Sequence, residues 1–213
     1  MSPSNKRLQF ERLQLGQSLK PVELRNAIAS AAPVQIRNIA ETHTFFDNAC
    51  IPEKRYKRED YITHVLAIGY FSQQPNWRDI KAQNLKGFIQ LNKKGISPEQ
   101  QMDIEKILSL MESLAILKKG IFVNKWSFVD YYMCIKTDEG LFNRLTLKAI
   151  AGRFEKIERL RKLYSKRPEV LLEVESPESN SSALYKYIMA YKAGGAIKQN
   201  ILDRQKYIQL ILK

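Results

Sequence analysis

Residues 97–120 leave this chain the least conformational freedom. Ser97 is suited to cap a helix, Pro98 to occupy its first position and Gln100 to complete a capping box. Ile104, Ile107, Leu108, Met111, Leu114 and Leu117 then recur on one face, the period of a helix buried along one side. Lys118 and Lys119 suit the negative end of the helix dipole, and Gly120 is a natural terminator. The segment predicts a core scaffold helix over 98–118 and requires no further function of it.

The rest of the chain reads as helices joined by Pro, Gly and Asn punctuation. Helices are expected at 21–31 and 34–49, with Pro33 making the break between them. Another is expected at 58–72, with Tyr61, Ile62, Val65 and Leu66 as its stripe. A fourth follows Pro75-Asn76 and carries Ile80, Leu85, Phe88 and Ile89. Residues 121–135 are aromatic and β-branched, compatible with strand or helix. Their helical neighbours favour a helix over 128–135 capped by Ser127. A long basic helix at 143–165 comes next. Ser176–Ser182 reads as a flexible surface loop, and two closing helices, 183–192 and 196–212, meet at Gly194-Gly195. The fold class expected is all-α, a single-domain bundle of about eight helices over residues 1–213, with 1–20 a docked N-terminal segment and 183–212 a closing pair. A chain of 213 residues with 44% hydrophobic and 27% charged residues can bury such a core.

Charge narrows the partners. Lys and Arg number 35 against 22 Asp and Glu, a net charge of +13, which favours a polyanionic partner, most often nucleic acid. Three basic clusters are candidates for phosphate contact: Lys54, Arg55, Lys57 and Arg58; Lys118, Lys119 and Lys125; and Arg153, Lys156, Arg159, Arg161 and Lys162 on the long helix. A solvated face of a packed helix is the competing reading for the third. Trp126, Phe128, Tyr131 and Tyr132 beside Lys125 suit core packing better than base stacking. No apolar run approaches a membrane span, and Met1–Arg7 has no apolar segment behind its charges. Cys50 and Cys134 stand in no metal-ligand spacing. A cytoplasmic protein that does not engage membranes is expected.

Catalytic chemistry finds little to work with. No phosphate-cradling glycine loop, nucleophile elbow or paired Cys/His signature occurs. His43 and His64 are expected to be structural. Glu59-Asp60 and Asp138-Glu139 are adjacent carboxylates, which point apart on a helix and usually face solvent. The expectation is a protein that is not an enzyme by itself, with no metal, no cofactor and no evident small-molecule substrate.

The opening stretch from Phe10 to Ile28 adds a context. Phe10, Leu13 and Leu15 form a hydrophobic plug, a Gly16-Gln17-Ser18 turn follows, and Pro21-Val-Glu-Leu-Arg-Asn26 starts a short helix. The stretch resembles the line Phe-x-Arg-Leu-Asn … Glu-Leu-Arg-Asn-Ala of the GmrSD-type restriction and phage-defence proteins. Arg58-Glu-Asp60 before an apolar run, and the closing pair from Tyr185 to Arg204, are similar to that family in the order of elements. The family's ParB-like half with its Asp-Gly-Gln-Gln-Arg motif is absent, as is a His-Asn-His module, and Gln14 stands where Asn is usual. The resemblance therefore implies the helical second half alone: a non-catalytic, basic module that positions DNA or docks a ParB-like catalytic partner. Glu23, Arg25 and Asn26 either lock the opening loop onto the bundle through an Arg–carboxylate pair or face the partner. The alternative from another class is a protein-interaction or inhibitory module whose charge is directed at an acidic protein.

Overall fold

A computed structural model describes residues 16, 19–138, 140–173 and 180–212. Twelve helices follow one another among them: α1 Pro21–Asn26, α2 Ala31–Thr42, α3 Phe45–Asn48, α4 Lys57–Ser72, α5 Ala82–Leu91, α6 Pro98–Leu117, α7 Lys125–Thr137, α8 Leu141–Arg144, α9 Leu147–Leu163, α10 Val170–Glu173, α11 Ser181–Lys192 and α12 Lys198–Leu212. Four are single-turn pieces and eight are longer. The fold is an all-α bundle in one domain, without strands among the described residues. Among the described residues, no helix is long and apolar enough to cross a membrane. The N-terminal plug, including Phe10, and most of the Ser-rich loop lie outside the described residues.

α6 is the axis of the bundle. The Ser97 hydroxyl accepts from Gln100 N at 3.2 Å, and the Gln100 side chain accepts from Ser97 N at 3.0 Å. Two of the N–H groups that every helix start leaves open are thereby satisfied. Ile104, Leu108, Met111 and Leu114 are fully buried, where α6 packs against α3, α7 and α9. Leu117 departs from the expected stripe and is 46% exposed, although Leu114 and Ala115 of the same last turn are fully buried, because at about 100° per residue it lies well round the helix from Ile104 and Leu108.

An aromatic cluster fills the space beside it. Phe45 meets Phe46 and Phe122 edge-on at 5.1 and 5.5 Å, the arrangement ring quadrupoles favour. Tyr131 stacks on Phe154 at 4.0 Å. Phe128, Tyr131 and Tyr132 are buried core residues.

Three boundaries correct the sequence reading. Pro33 does not break the first two helices; it sits in the first turn of α2, where a missing N–H costs nothing. The chain leaves helical conformation earlier, around residues 27–30. The expected 34–49 helix is interrupted at His43, whose extended backbone separates α2 from α3. α7 begins before Ser127: Asn124 is its cap, accepting from Trp126 N at 2.9 Å, while Ser127 is buried inside.

Candidate nucleic-acid interface

The long basic helix α9 is oriented by one buried carboxylate. Thr146 caps its start, and Ile150, Ala151, Phe154 and Ile157 form its buried side. Glu158 lies on that side as well. It accepts from the Ser127 hydroxyl at 2.8 Å, from the Tyr131 hydroxyl at 3.2 Å and from Arg161 Nε and Nη2 at 3.2 and 2.7 Å. The Arg161 guanidinium also covers the Tyr191 ring at 4.3 Å. A buried carboxylate with this many donors is stable where a bare one would be costly.

That packing sorts the cations of α9 into two groups. Arg161 is turned inward, and the Arg153 guanidinium donates to the Leu212 carbonyl at the end of α12. Lys156, Arg159 and Lys162 are exposed. At about 100° per residue they fall within an arc of about 120° on the solvent side. The wide angular scatter of basic residues in the sequence becomes a narrower stripe once the engaged arginines are removed.

The stripe does not stand alone. Lys118, just past α6, pairs with Glu155 at 2.8 Å and ties the end of α6 to α9. Gly120 turns the chain with a φ of +82°, a conformation that favours glycine. Lys119 thereby comes to the wall of a shallow groove of about 550 Å³ together with Gly152, Lys156, Arg159 and Lys162. The two carboxylates of the groove, Glu155 and Glu158, are occupied by Lys118 and Arg161. Lys119, Lys156, Arg159 and Lys162 are in no ion pair among the described residues. The second and third basic clusters of the sequence thus meet.

Other expected contacts lie elsewhere. Arg58 is buried, donating to the Ile51 carbonyl at 2.9 Å and pairing with Asp47 at 2.5 Å; it braces the 47–58 loop. Arg55 is exposed on that loop and does not line the groove. Lys125 pairs with Asp60 at 3.1 Å.

Asp60 is the centre of a polar cluster that the sequence reading missed. Arg25 pairs with it from α1, and Arg25 and Glu23 are buried while Leu24 between them is 51% exposed. The Glu23 carboxylate accepts from Lys20 N at 2.8 Å. His64 Nδ1 lies 2.6 Å from the Asp60 carbonyl oxygen, so Nδ1 carries the proton and Nε2 faces the Lys125 amine at 3.4 Å. Burial pushes the His64 pKa down to about 4, and the ring is neutral. Burial alone would raise the Asp60 carboxyl, but the neighbouring Lys125 and Arg25 cations work against it, and the group is held below its ordinary value. The adjacent Glu59 is also buried, and burial raises its pKa. The expectation of a solvent-facing Glu59-Asp60 pair is therefore corrected: α4 is covered on nearly all sides, so neither residue has an open face to occupy. The only sequence signal was Asp60 and His64 at i, i+4.

His43 is held in a different hydrogen-bond arrangement. Its Nδ1 accepts from Phe45 N at 3.1 Å, which leaves the proton on Nε2. Nε2 faces Ser109 Oγ at 3.4 Å and has no lone pair to take that hydroxyl's proton. Among the described residues, no three His, Cys, Asp or Glu side chains gather as a metal site requires. Comparison with protein-family models, curated proteins and solved structures finds no match to this chain.

Proposed function

We propose that this chain is a non-catalytic basic helical module that positions DNA through its phosphates, the contact surface being the groove between the end of α6 and α9. The observation that carries this reading is the convergence of Lys119, Lys156, Arg159 and Lys162 on one groove whose two carboxylates are already paired. Unpaired cations converging on one concavity are what a phosphodiester backbone recognises, and they carry no base-reading geometry. Phe128, Tyr131 and Tyr132 are buried in the core, which favours duplex over stacked single-strand binding. Both histidines are held in internal hydrogen bonds, which supports a module without catalysis of its own. In the context that the GmrSD-type resemblance implies, the groove presents DNA to a ParB-like partner that supplies the chemistry.

The test is a titration of labelled duplex DNA by fluorescence anisotropy over a series of salt concentrations. Four phosphate contacts give a slope of log K against log salt of about −3.6. Reversal of Lys119, Lys156, Arg159 and Lys162 to Glu should bring the slope close to zero. A slope unchanged by those substitutions rules the groove out, and no binding at low salt rules out the reading for this chain.

A further inference from the structure

A second cavity, of about 310 Å³, opens on the other flank of α9, where α9 meets α10, α11 and α12. Its wall is built from Ile157, Leu160, Leu171, Leu184 and Ile211. Ile157, Leu171 and Leu184 are buried, so the depth of the cavity is apolar. Lys156 and Arg153 stand at its edge, and among the described residues no carboxylate lines it. Arg153 is anchored on the Leu212 carbonyl, which fixes one positive group there, while Lys156 is in no ion pair among the described residues. An apolar hollow with a few convergent polar groups, at the lower end of the roughly 300–1,000 Å³ range, is the usual form of a small-molecule site.

We infer that this cavity binds a small amphipathic anion, with its apolar body among Ile157, Leu160, Leu184 and Ile211 and its acidic head on Lys156. Charge complementarity selects an anion, because the described edge presents Arg153 and Lys156. The volume limits the body to about ten non-hydrogen atoms, at the roughly 30 Å³ that a water-sized group occupies in a liquid. Burial of the chain drives binding and the head group sets its orientation.

The experiment is isothermal titration of the full chain with decanoate, below the concentration at which decanoate self-associates, with decanol as the uncharged control. Saturable one-to-one binding is expected. Leu160→Trp fills the cavity and abolishes it, and Lys156→Gln weakens it about tenfold. Arg159→Gln with Lys162→Gln leaves it unchanged, which separates this site from the phosphate groove. Ser181→Phe, at the rim, replaces Leu160→Trp if that variant melts at a lower temperature. The inference is overturned by absence of saturable binding, by a cavity-filled variant that binds like the parent, or by decanol binding as tightly as decanoate.

Discussion

Arg204 and Asp130 are both fully buried, and Arg204 Nε lies 3.0 and 2.9 Å from the two oxygens of Asp130. Tyr187 donates to the same carboxylate at 3.1 Å, and Arg204 Nη2 donates to the Gly195 carbonyl at 3.1 Å. The pair joins α7 to α12 in the interior, with the guanidinium 5.2 Å from the Trp126 ring centre. Desolvation costs such a pair much of what its attraction returns, yet removal of one partner strands a charge. Asp130→Ala should therefore lose about 3–5 kcal/mol, whereas Asp130→Leu with Arg204→Met should be close to neutral. Urea denaturation of Asp130→Leu, Arg204→Met and the double variant closes the cycle. A double variant as unstable as the singles would show that packing, not charge, is what the pair supplies.

Arg25 reaches the bundle through Asp60, and that contact orients the short helix α1. Its side chain is 5% exposed, so Arg25→Ala removes a buried donor pair rather than a surface charge. Asp60 retains Lys125 as a partner, which limits the loss to about 2 kcal/mol. For a chain of this size that corresponds to a melting temperature lower by about 4–8 °C. Differential scanning calorimetry measures it. An unchanged melting temperature would move Arg25 from the fold to an exposed working surface.

His64 makes stability depend on pH. Its pKa is depressed to about 4 in the folded chain against about 6.5 when unfolded. Between these values the unfolded chain binds more protons, so the His64 contribution is complete above pH 6.5 and is lost as pH falls toward 4. Asp130 acts in the opposite sense: desolvation lifts it to about 6 despite Arg204, so protonation below pH 6 favours the fold and blunts the overall trend. The clean observable is the difference between the parent and His64→Gln. Between pH 7 and pH 4 the parent should lose on the order of 2–3 kcal/mol more than the variant, read from urea midpoints. Parallel curves would remove His64 as the titrating group.

The boundaries of α6 were legible in the sequence because a capping box, an apolar period and a glycine are all local signals. Pro33 misled because proline suits a first turn as well as a break, and only the packing of α2 decides between them. The basic residues show the deeper reason. A count of charges does not reveal that Arg58 belongs to Asp47 or Arg153 to the Leu212 carbonyl, since those partners lie 11 and 59 residues away. Arg161 and Glu158, three residues apart, were within reach of a helical reading. The meeting of Lys119 with Lys156 was not, because it depends on the turn at Gly120 and on how α6 crosses α9.

Asp79 caps a helix that begins 119 residues later. Its carboxylate accepts from Lys198 N at 2.9 Å, beside the Ile80 N–H bond to the Ala196 carbonyl at 2.7 Å. That hydrogen bond, with Lys81 adding to it, holds the Asp79 carboxyl below its ordinary value. Asp79→Ala should cost about 1 kcal/mol, the usual loss of a cap, and speed amide exchange at residues 198–200 selectively. Uniform exchange along α12 would show that the cap does not hold the helix start.

Two glycines should respond in opposite directions to the same substitution. Gly195 packs against Trp126 so closely that a Cβ there would land on the indole ring, whereas a Cβ at Gly69, in the last turn of α4, meets nothing within 4 Å. Gly69→Ala replaces a poor helix former with a good one and should raise stability by about 0.5–1 kcal/mol. Gly195→Ala must push Trp126 off the place where it meets His64 edge-on at 5.3 Å and faces Arg204. Overpacking of this kind costs about 1–3 kcal/mol, and here it also disturbs the Arg204–Asp130 pair. Melting curves give the two signs, and Trp126 fluorescence should shift only in the second variant. A Gly195→Ala protein with parental stability and an unshifted spectrum would mean that the loop before α12 yields at little cost, and the contact with Trp126 would then not be what holds α12 against α7.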